Sequence, residues 1–205
     1  IERGSVAPQW RTSMTIATLI TGVAFWHYMY MREHWILTGE SPIVYRYVDW
    51  FITVPLQIVE FYFILAAVTV VTAMLFWRLL TASILMLLFG FLGETGMVGG
   101  SALVWWLLGT VCWLYIIYEI FRGEAAILNK ESKNEAGQMG FAALKWIVTI
   151  GWAIYPIGYL YGLEETTILG VRITNTAYSL ELINIIYNLA DLVNKTAFGI
   201  AIWLA

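Results

Sequence analysis

The chain has 205 residues, of which 60% are hydrophobic and only 12% are charged. This balance lies outside the usual range of soluble domains, so the sequence predicts an integral membrane protein. The net charge of -3 and the scattered basic residues argue against nucleic-acid binding, and the single cysteine, Cys112, excludes a disulfide framework and a cysteine metal site.

Six apolar segments, taken in chain order, are each long enough to cross a hydrocarbon layer of ~30 Å as a helix. They are residues 12–31, 43–66, 68–91, 98–121, 141–162 and 178–204. The connectors carry turn residues and helix stops, as in TGESP, GETGMVGG, RGEAAILNKESKNEAG and GLEETTILGVR. A β-barrel would instead read as short alternating segments, so we expect an all-α membrane protein whose residues 1–205 form a single transmembrane helical bundle domain.

Basic residues outside these spans are distributed unequally between the two membrane faces. Because lysine and arginine are enriched on the cytoplasmic side, the face with seven of them is expected to be cytoplasmic. Both chain ends then lie in the cytoplasm, and the second and sixth spans run from outside to inside. The seven are Arg3, Arg11, Arg78, Arg122, Lys130, Lys133 and Lys145, against Arg32 and Arg172 at the other face.

The second span contains three charged residues within YRYVDWFITVPLQIVEF (45–61). An ionisable side chain in the membrane core costs ~2.5–3.5 kcal/mol, so it normally faces the bundle interior with a partner and a function. Arg46, Asp49 and Thr53 are spaced so that their side chains share a helix face and can touch. Asp49 and Glu60 are almost three turns apart, with ~16 Å of axial rise between them. This spacing favours two stations on a proton path, although an ion pair that only joins helices is the alternative.

The sixth span supplies a buried lysine, Lys195, four residues after Asp191 and on the same helix face. A desolvated lysine either loses its proton or requires a counter-ion, and its amine is also a common nucleophile for forming a Schiff base with an aldehyde. Asp191 alone would neutralise the lysine, so the addition of Asp49 leaves one acid free to accept a proton. Aromatic residues at mid-depth indicate either a pocket for an elongated apolar ligand or an ordinary helix core: Trp50, Trp152, Tyr155 and Tyr187.

Four segments together resemble the proteorhodopsins, the retinal-binding, light-driven proton pumps of the microbial rhodopsin family. They are AFWHYMYMRE (24–33), YRYVDWFITVPLQIVEFYFIL (45–65), GWAIYPIGY (151–159) and IYNLADLVNK (186–195). The resemblance extends over essentially the whole chain. It implies a heptahelical microbial-rhodopsin bundle, of which six transmembrane helices are visible here, because the opening IERGSVAPQWRTS resembles the loop that follows the first helix of the family.

The resemblance also implies roles for individual residues. Lys195 would hold all-trans retinal as a protonated Schiff base, with Asp49 as proton acceptor and Asp191 as second counter-ion. Glu60 would donate a proton from the cytoplasmic side. Of the remaining polar positions, Arg46 would help to keep the counter-ions ionised, Thr53 would complete the proton-pump pattern, and His27 would pair with the acceptor. The expected retinal pocket comprises Trp50, Met86, Trp152, Tyr155 and Pro156, with Tyr187 as a further candidate.

Two of these residues have an ordinary structural interpretation beside the functional one. Gln57 matches the colour-tuning site of the family, where glutamine goes with blue absorption, but a glutamine can also simply bridge helices. His27 is a lone histidine on an apolar face and could be a core residue. If it contacts Asp49, the two groups would titrate as a coupled pair.

The function implied by the resemblance is outward proton transport driven by light, performed by a transporter and not by an enzyme. We expect a multi-pass protein of the bacterial inner membrane that contacts lipid and forms a homo-oligomer, either a pentamer or a hexamer. An accessory carotenoid is left undetermined. A sensory photoreceptor that signals to a membrane partner is the alternative, against which Glu60 argues because a sensor gains nothing from fast reprotonation. A retinal-free transporter is a third reading.

Overall fold

The computed structural model describes residues 2–163, 165–168, 171–174 and 177–204. Within these ranges the chain forms eight α-helices and two short strands, preceded by 3₁₀ turns at Glu2–Gly4 and Pro8–Trp10. The helices are α1 Arg11–Thr38, α2 Ile43–Val68, α3 Ala73–Thr95, α4 Ala102–Phe121, α5 Glu124–Glu131, α6 Glu135–Trp146, α7 Ile154–Gly162 and α8 Ala177–Leu204. A π-helical turn, Ile147–Gly151, connects α6 to α7. The strands are β1 Glu165–Ile168 and β2 Val171–Thr174.

The helices pack in a ring, and the buried polar residues of α2 and α8 face the inside of this ring. Around the ring α1 contacts α2, α2 contacts α3, α3 contacts α4, α4 contacts α7, α7 contacts α8, and α8 returns to α1. Large apolar side chains such as Phe25, Trp77 and Leu192 remain exposed on the outside of the ring. An apolar exterior of this kind suits a lipid environment, so the predicted helical membrane bundle is confirmed.

Four of the six predicted spans recur as helical stretches that are long and apolar enough to cross a bilayer: Ile43–Val68, Ala73–Thr95, Ala102–Glu131 and Glu135–Gly162. The first and last predicted spans fall in α1 and α8, which have 28 residues each. At ~1.5 Å per residue both are also longer than the hydrocarbon layer. The last helix includes the polar residues Asn184, Asp191 and Lys195, which lower its overall apolar character.

Three connections differ from the sequence prediction. The third helix begins at Ala73 and not at residue 68, because Thr69 leaves helical conformation with φ -152° and ψ 174°. The sequence gives no sign of this turn, because residues 69–72 are apolar or β-branched and include no glycine or proline. The segment 122–137 was expected to be a connector, yet it contains α5, whose Ala125 is buried. The last connector contains β1 and β2, which pair antiparallel with Glu165 opposite Thr174.

Two glycines end α1 and α3. Gly39 and Gly96 adopt the left-handed conformation, with φ 69° and φ 64°, which glycine enters without steric cost. Each backbone N–H still donates to a helical carbonyl, Gly39 to Trp35 at 2.9 Å and Gly96 to Leu92 at 3.1 Å. The two stops fix the level at which the chain leaves the bundle on its expected outer side.

Candidate functional site

The centre of the bundle holds an amine between two carboxylates. Lys195 Nζ, on α8, donates hydrogen bonds to Oδ2 of Asp49 on α2 and, at 3.0 Å, to Oδ2 of Asp191 on its own helix. Lys195 is 5% exposed, Asp49 is 0% exposed and Asp191 is 2% exposed. The structure therefore brings together, away from water, three of the charged residues that the sequence singled out.

Asp191 is surrounded by hydrogen-bond donors. Its Oδ2 accepts from the Tyr28 hydroxyl at 2.6 Å and from Trp50 Nε1 at 3.0 Å, in addition to Lys195. Its Oδ1 accepts from the Tyr155 hydroxyl. An ionised carboxylate has about four acceptor sites, and the four donors, three on Oδ2 and one on Oδ1, occupy most of them. Asp191 is thereby fixed as an anion in one orientation.

The carboxylate of Asp49 accepts fewer hydrogen bonds than that of Asp191. Its Oδ1 is buried and has no hydrogen-bond partner among the described residues. His27 Nδ1 lies 3.4 Å from this atom, within ion-pair range but outside hydrogen-bond geometry. Thr53 Oγ1 donates to the main-chain oxygen of Asp49 at 3.0 Å, so it fixes the backbone and leaves the carboxylate unconstrained. Asp49 can therefore take up a proton without displacing any donor.

Arg46 is buried and forms no ion pair with Asp49, although the spacing of the two residues allows their side chains to touch. Its guanidinium donates to Asn184 Oδ1 at 2.7 Å and lies over the Tyr187 ring at 5.1 Å. The i, i+3 spacing aligns the two Cβ atoms, but Arg46 extends to Asn184 while Asp49 turns to Lys195. Within the described residues no carboxylate lies within 4.0 Å of the Arg46 nitrogens. Arg46 adds a second buried cation to the region of the two aspartates, and its charge also acts on Glu94 of α3.

Glu60 lies on α2 eleven residues beyond Asp49, or ~16 Å along the helix axis. It is fully buried, and neither carboxylate oxygen has a partner of hydrogen-bonding geometry among the described residues. The buried Ser13 hydroxyl interacts with this carboxylate but outside that geometry. A carboxylate buried with so little compensation is costly, which favours a functional reason for its position. Its position on the expected cytoplasmic side agrees with the spacing argument made from the sequence.

A cavity adjoins the amine and contains about 800 Å³ of space between atoms, part of it open to the surroundings. All eight residues predicted to bind a cofactor line it: Trp50, Gln57, Met86, Trp152, Tyr155, Pro156, Tyr187 and Lys195. The buried amide nitrogen of Gln57 has no hydrogen-bond partner among the described residues. The walls are therefore largely aromatic and apolar, with polar groups at separate points.

From α3 the sequence identified only Met86 in this cavity, and from α4 it identified no residue. Trp106 and Trp113 line it, and their indole nitrogens donate to the carbonyls of Pro156 at 2.8 Å and Val148 at 3.0 Å. Glu94 also lines it, from the end of α3. The tryptophans lie in an almost wholly apolar helix whose charged residue, Glu119, is buried but stands near its far end, and Glu94 lies in a segment that resembles a turn. Only packing could show that they face inward.

The π-helical turn and a close glycine contact position the cavity wall against α8. The Gly151 carbonyl accepts from Asn194 Nδ2 at 3.1 Å, one residue before Lys195. A Cβ at Gly158 would collide with the Tyr187 ring, so glycine allows that ring to pack on the backbone of α7. The Tyr187 hydroxyl then donates to the Tyr155 carbonyl at 3.0 Å. Irregular helical turns of this kind are frequent at functional sites.

Comparison with known proteins gives a consistent family. Residues 1–205 match the family model described as bacteriorhodopsin-like protein. A blue-light absorbing proteorhodopsin from Gamma-proteobacterium Hot 75m4 is 48% identical over 209 residues, which cover 99% of this chain and 76% of that protein. A green-light absorbing proteorhodopsin from Gamma-proteobacterium EBAC31A08 is 46% identical over 206 residues, covering 99% of this chain and 77% of that protein.

A solved structure has the same fold. The crystal structure of blue light-absorbing proteorhodopsin from Med12 superposes with a TM-score of 0.78 at 52% identity, covering 99% of this chain and 86% of that one. The matches in sequence and structure both extend over the helices that carry Asp49, Glu60 and Lys195. The chain therefore belongs to the bacteriorhodopsin-like family, with proteorhodopsins among its relatives.

Proposed function

We propose that this protein is an outward, light-driven proton pump that carries retinal on Lys195. The observation that supports the proposal most directly is the difference between the two carboxylates around the Lys195 amine. Asp191 is saturated by four donors, whereas Asp49 keeps an unpartnered, buried oxygen. One acid is thus suited to remain a counter-ion, and the other to accept a proton.

The cavity fits a polyene aldehyde. It places a nucleophilic amine at one point of an aromatic enclosure, and a buried amide, Gln57, without a protein partner at another. A largely apolar pocket with few polar groups is typical of a small-molecule site. Bound to Lys195 as a protonated Schiff base, retinal would supply light absorption and an isomerisation that changes the surroundings of the nitrogen. All-trans retinal is the isomer that we propose, from the family resemblance.

Proton movement would then depend on the side chains around Lys195. The proton held at the Lys195 nitrogen passes to Asp49, the nearest acid with a free acceptor oxygen. Asp191 stays ionised and keeps its orientation through Tyr28, Trp50 and Tyr155. We assign His27 as the side chain that pairs with the acceptor, because its Nδ1 lies 3.4 Å from Asp49 Oδ1. Transport outward follows because Asp49 lies on the expected outer side of the amine.

Return of a proton to the Lys195 nitrogen is assigned to Glu60. We expect Glu60→Gln to slow this reprotonation by roughly 10²-fold, the usual contribution of a positioned proton donor. The absorption maximum should stay nearly unchanged because Glu60 does not line the cavity. Flash spectroscopy of the purified pigment measures both quantities. Equal reprotonation rates in Glu60→Gln and the unsubstituted protein would remove Glu60 from the pathway.

Colour is assigned to Gln57, and we propose blue absorption. Light moves positive charge along the polyene away from the nitrogen, so a polar amide in the pocket stabilises the ground state preferentially. We therefore expect Gln57→Leu to absorb at longer wavelength, while Gln138→Leu, a substitution of an amide on α6 outside the cavity lining, leaves the spectrum unchanged. An unshifted Gln57→Leu spectrum would contradict the assignment.

We further propose that residues 1–205 act as one transmembrane domain in the bacterial inner membrane, surrounded by lipid and assembled as a pentamer or hexamer. The exposed apolar exterior and the proteobacterial relatives support the location. Size determination in a mild detergent, with native mass spectrometry, would test the oligomer.

The proposed function is tested by illuminating cells that express the protein with retinal present. The external medium should acidify, and a protonophore should abolish the change. A visible pigment without light-dependent acidification would favour a sensory photoreceptor, and the lack of any visible band would favour a transporter that works without retinal.

A further inference from the structure

The side chain of Asn194 lies between α8 and the π-helical turn. Asn194 directly precedes Lys195 in the chain, lines the same cavity and is 7% exposed. A Cβ at Gly151 would collide with the Asn194 side chain, so the turn approaches α8 this closely only because residue 151 is glycine. The Asn194 amide is thereby enclosed between the backbone of the turn and the groups around Lys195.

Both hydrogens of the Asn194 amide have an acceptor. Nδ2 donates to the Gly151 carbonyl at 3.1 Å and to the Tyr155 hydroxyl oxygen at 3.4 Å. The orientation of the amide is settled by the first of these bonds, because a carbonyl can only accept. Gly151 belongs to the π-helical turn and Tyr155 to α7, so one amide on α8 contacts two successive parts of the cavity wall.

The contact with Tyr155 extends to the counter-ion. The Tyr155 hydroxyl accepts from Asn194 and donates its own hydrogen to Oδ1 of Asp191. Among the described residues it is the one donor on that oxygen, because the other three donors of Asp191 bind Oδ2. A hydroxyl that accepts a hydrogen bond also donates a stronger one, since adjacent bonds polarise each other. Asn194 therefore strengthens and orients the bond that occupies Oδ1.

Oδ1 is the oxygen at which the two aspartates around Lys195 differ. In Asp49 it has no hydrogen-bond partner among the described residues, whereas in Asp191 it accepts from Tyr155. Both carboxylates accept from the Lys195 amine through Oδ2. An acid with a donor on each oxygen loses a hydrogen bond when it takes up a proton, and this loss is costly in a buried site. The donor on Oδ1 therefore disfavours Asp191 as a proton acceptor.

We propose that Asn194 is a positioning residue that selects the proton acceptor of the pump, a conclusion that rests on the proposed function. Its amide holds the Tyr155 hydroxyl on Asp191. When the N–H bond at the Lys195 nitrogen breaks, the O–H bond then forms on Asp49, and Asp191 remains an anion. Without the Asn194 amide the Tyr155 hydroxyl can rotate away, and the same proton can form its O–H bond on Oδ1 of Asp191.

The test starts from Asp49→Asn, which leaves Asp191 as the one aspartate of the sequence. Aspartate labelled at its carboxyl carbon then marks a single group. Asn194→Leu keeps the approximate size of the side chain and removes its donors. Added to Asp49→Asn in the retinal-loaded pigment, it should raise residual proton transfer by roughly ten-fold, the effect of weakening a hydrogen bond to a charged group. Infrared difference spectroscopy should show the labelled carboxyl band of protonated Asp191. Asn194→Ala should act in the same direction and serves as the second variant if leucine disturbs folding.

A double-mutant cycle separates action through Tyr155 from a general structural effect. Tyr155→Phe removes the hydroxyl and should raise the residual transfer at least as much, and adding Asn194→Leu to it should change nothing further. Independent effects that multiply would overturn the proposal. Thr149→Val is the matched control, because Thr149 also lies in the π-helical turn and donates to a carbonyl, that of Lys145 at 2.7 Å, but it does not line the cavity. Its residual transfer should equal that of Asp49→Asn alone.

Retinal-free protein in lipid nanodiscs gives a second readout that does not depend on pumping. Solid-state NMR observes the Tyr155 ring carbon that carries the hydroxyl, assigned by its loss in Tyr155→Phe. Its resonance should move in Asn194→Leu and stay in place in Thr149→Val. An unmoved resonance, or unchanged residual transfer in both Asn194 variants, would overturn the role of Asn194 and leave the pump intact. The lack of any light-dependent proton signal in the unsubstituted protein would instead overturn the proposed function and the choice of acceptor together.

Discussion

Replacement of Lys195 by alanine is expected to abolish the visible pigment completely. The Lys195 amine is the buried nucleophile in the lining of the aromatic cavity, and no other lysine of the described residues lines it. Without this amine, retinal has no covalent attachment and absorbs as the free aldehyde. The measurement is the absorption spectrum of protein purified after retinal addition, together with mass spectrometry of the retinal adduct after chemical reduction.

Loss of folding could produce the same spectrum, because Lys195→Ala leaves Asp49 and Asp191 without their shared cation. Removal of one partner from a buried ion pair lowers the free energy of unfolding by about 3–5 kcal/mol. Lys195→Arg separates the two effects, since it keeps a cation beside the carboxylates but offers no amine for attachment. It should yield folded, colourless protein. Lys145→Ala, a change outside the cavity, should remain coloured. A covalent adduct in Lys195→Arg would contradict the assignment.

The bundle and the three central charges were predictable from sequence because each is tied to a strong physical constraint. A run of about 20 apolar residues has few alternatives to a membrane helix, and a charge inside it has a high cost unless it faces a partner. Asp49, Asp191 and Lys195 therefore stood out by composition and spacing alone. Their contact across two helices, shown by the hydrogen bonds of Lys195, follows from the same constraint.

The details that escaped prediction depend on packing between distant segments. The sequence spacing places Arg46 and Asp49 on one helix face. In the structure the Arg46 guanidinium instead donates a hydrogen bond to Asn184, which is 138 residues away in the chain. Tyr28 lies 163 residues from Asp191, and nothing local to α1 distinguishes this tyrosine from others in the helix. Asp191 accepts four hydrogen bonds, whereas one carboxylate oxygen of Asp49 accepts none. Donors distant in sequence produce part of this difference, so it could not be predicted from local spacing.

Replacement of Asp49 by asparagine should eliminate proton transport and shift the pigment to longer wavelength. The neutral amide cannot accept the proton from the Lys195 nitrogen, and Asp191 is already occupied by four donors, so transfer should fall by at least about 100-fold. Loss of one negative charge beside the nitrogen destabilises the ground state more than the excited state, which explains the colour shift. Transport is measured as light-induced acidification, and proton transfer is measured by flash spectroscopy as the appearance of the pigment with an unprotonated nitrogen.

Asp49→Glu, which keeps a carboxylate, should retain part of the transport. If Asp49→Asn acidifies the medium as fast as the unsubstituted protein, another group must be the acceptor. The unpartnered Oδ1 of Asp49 would then have no role in transport.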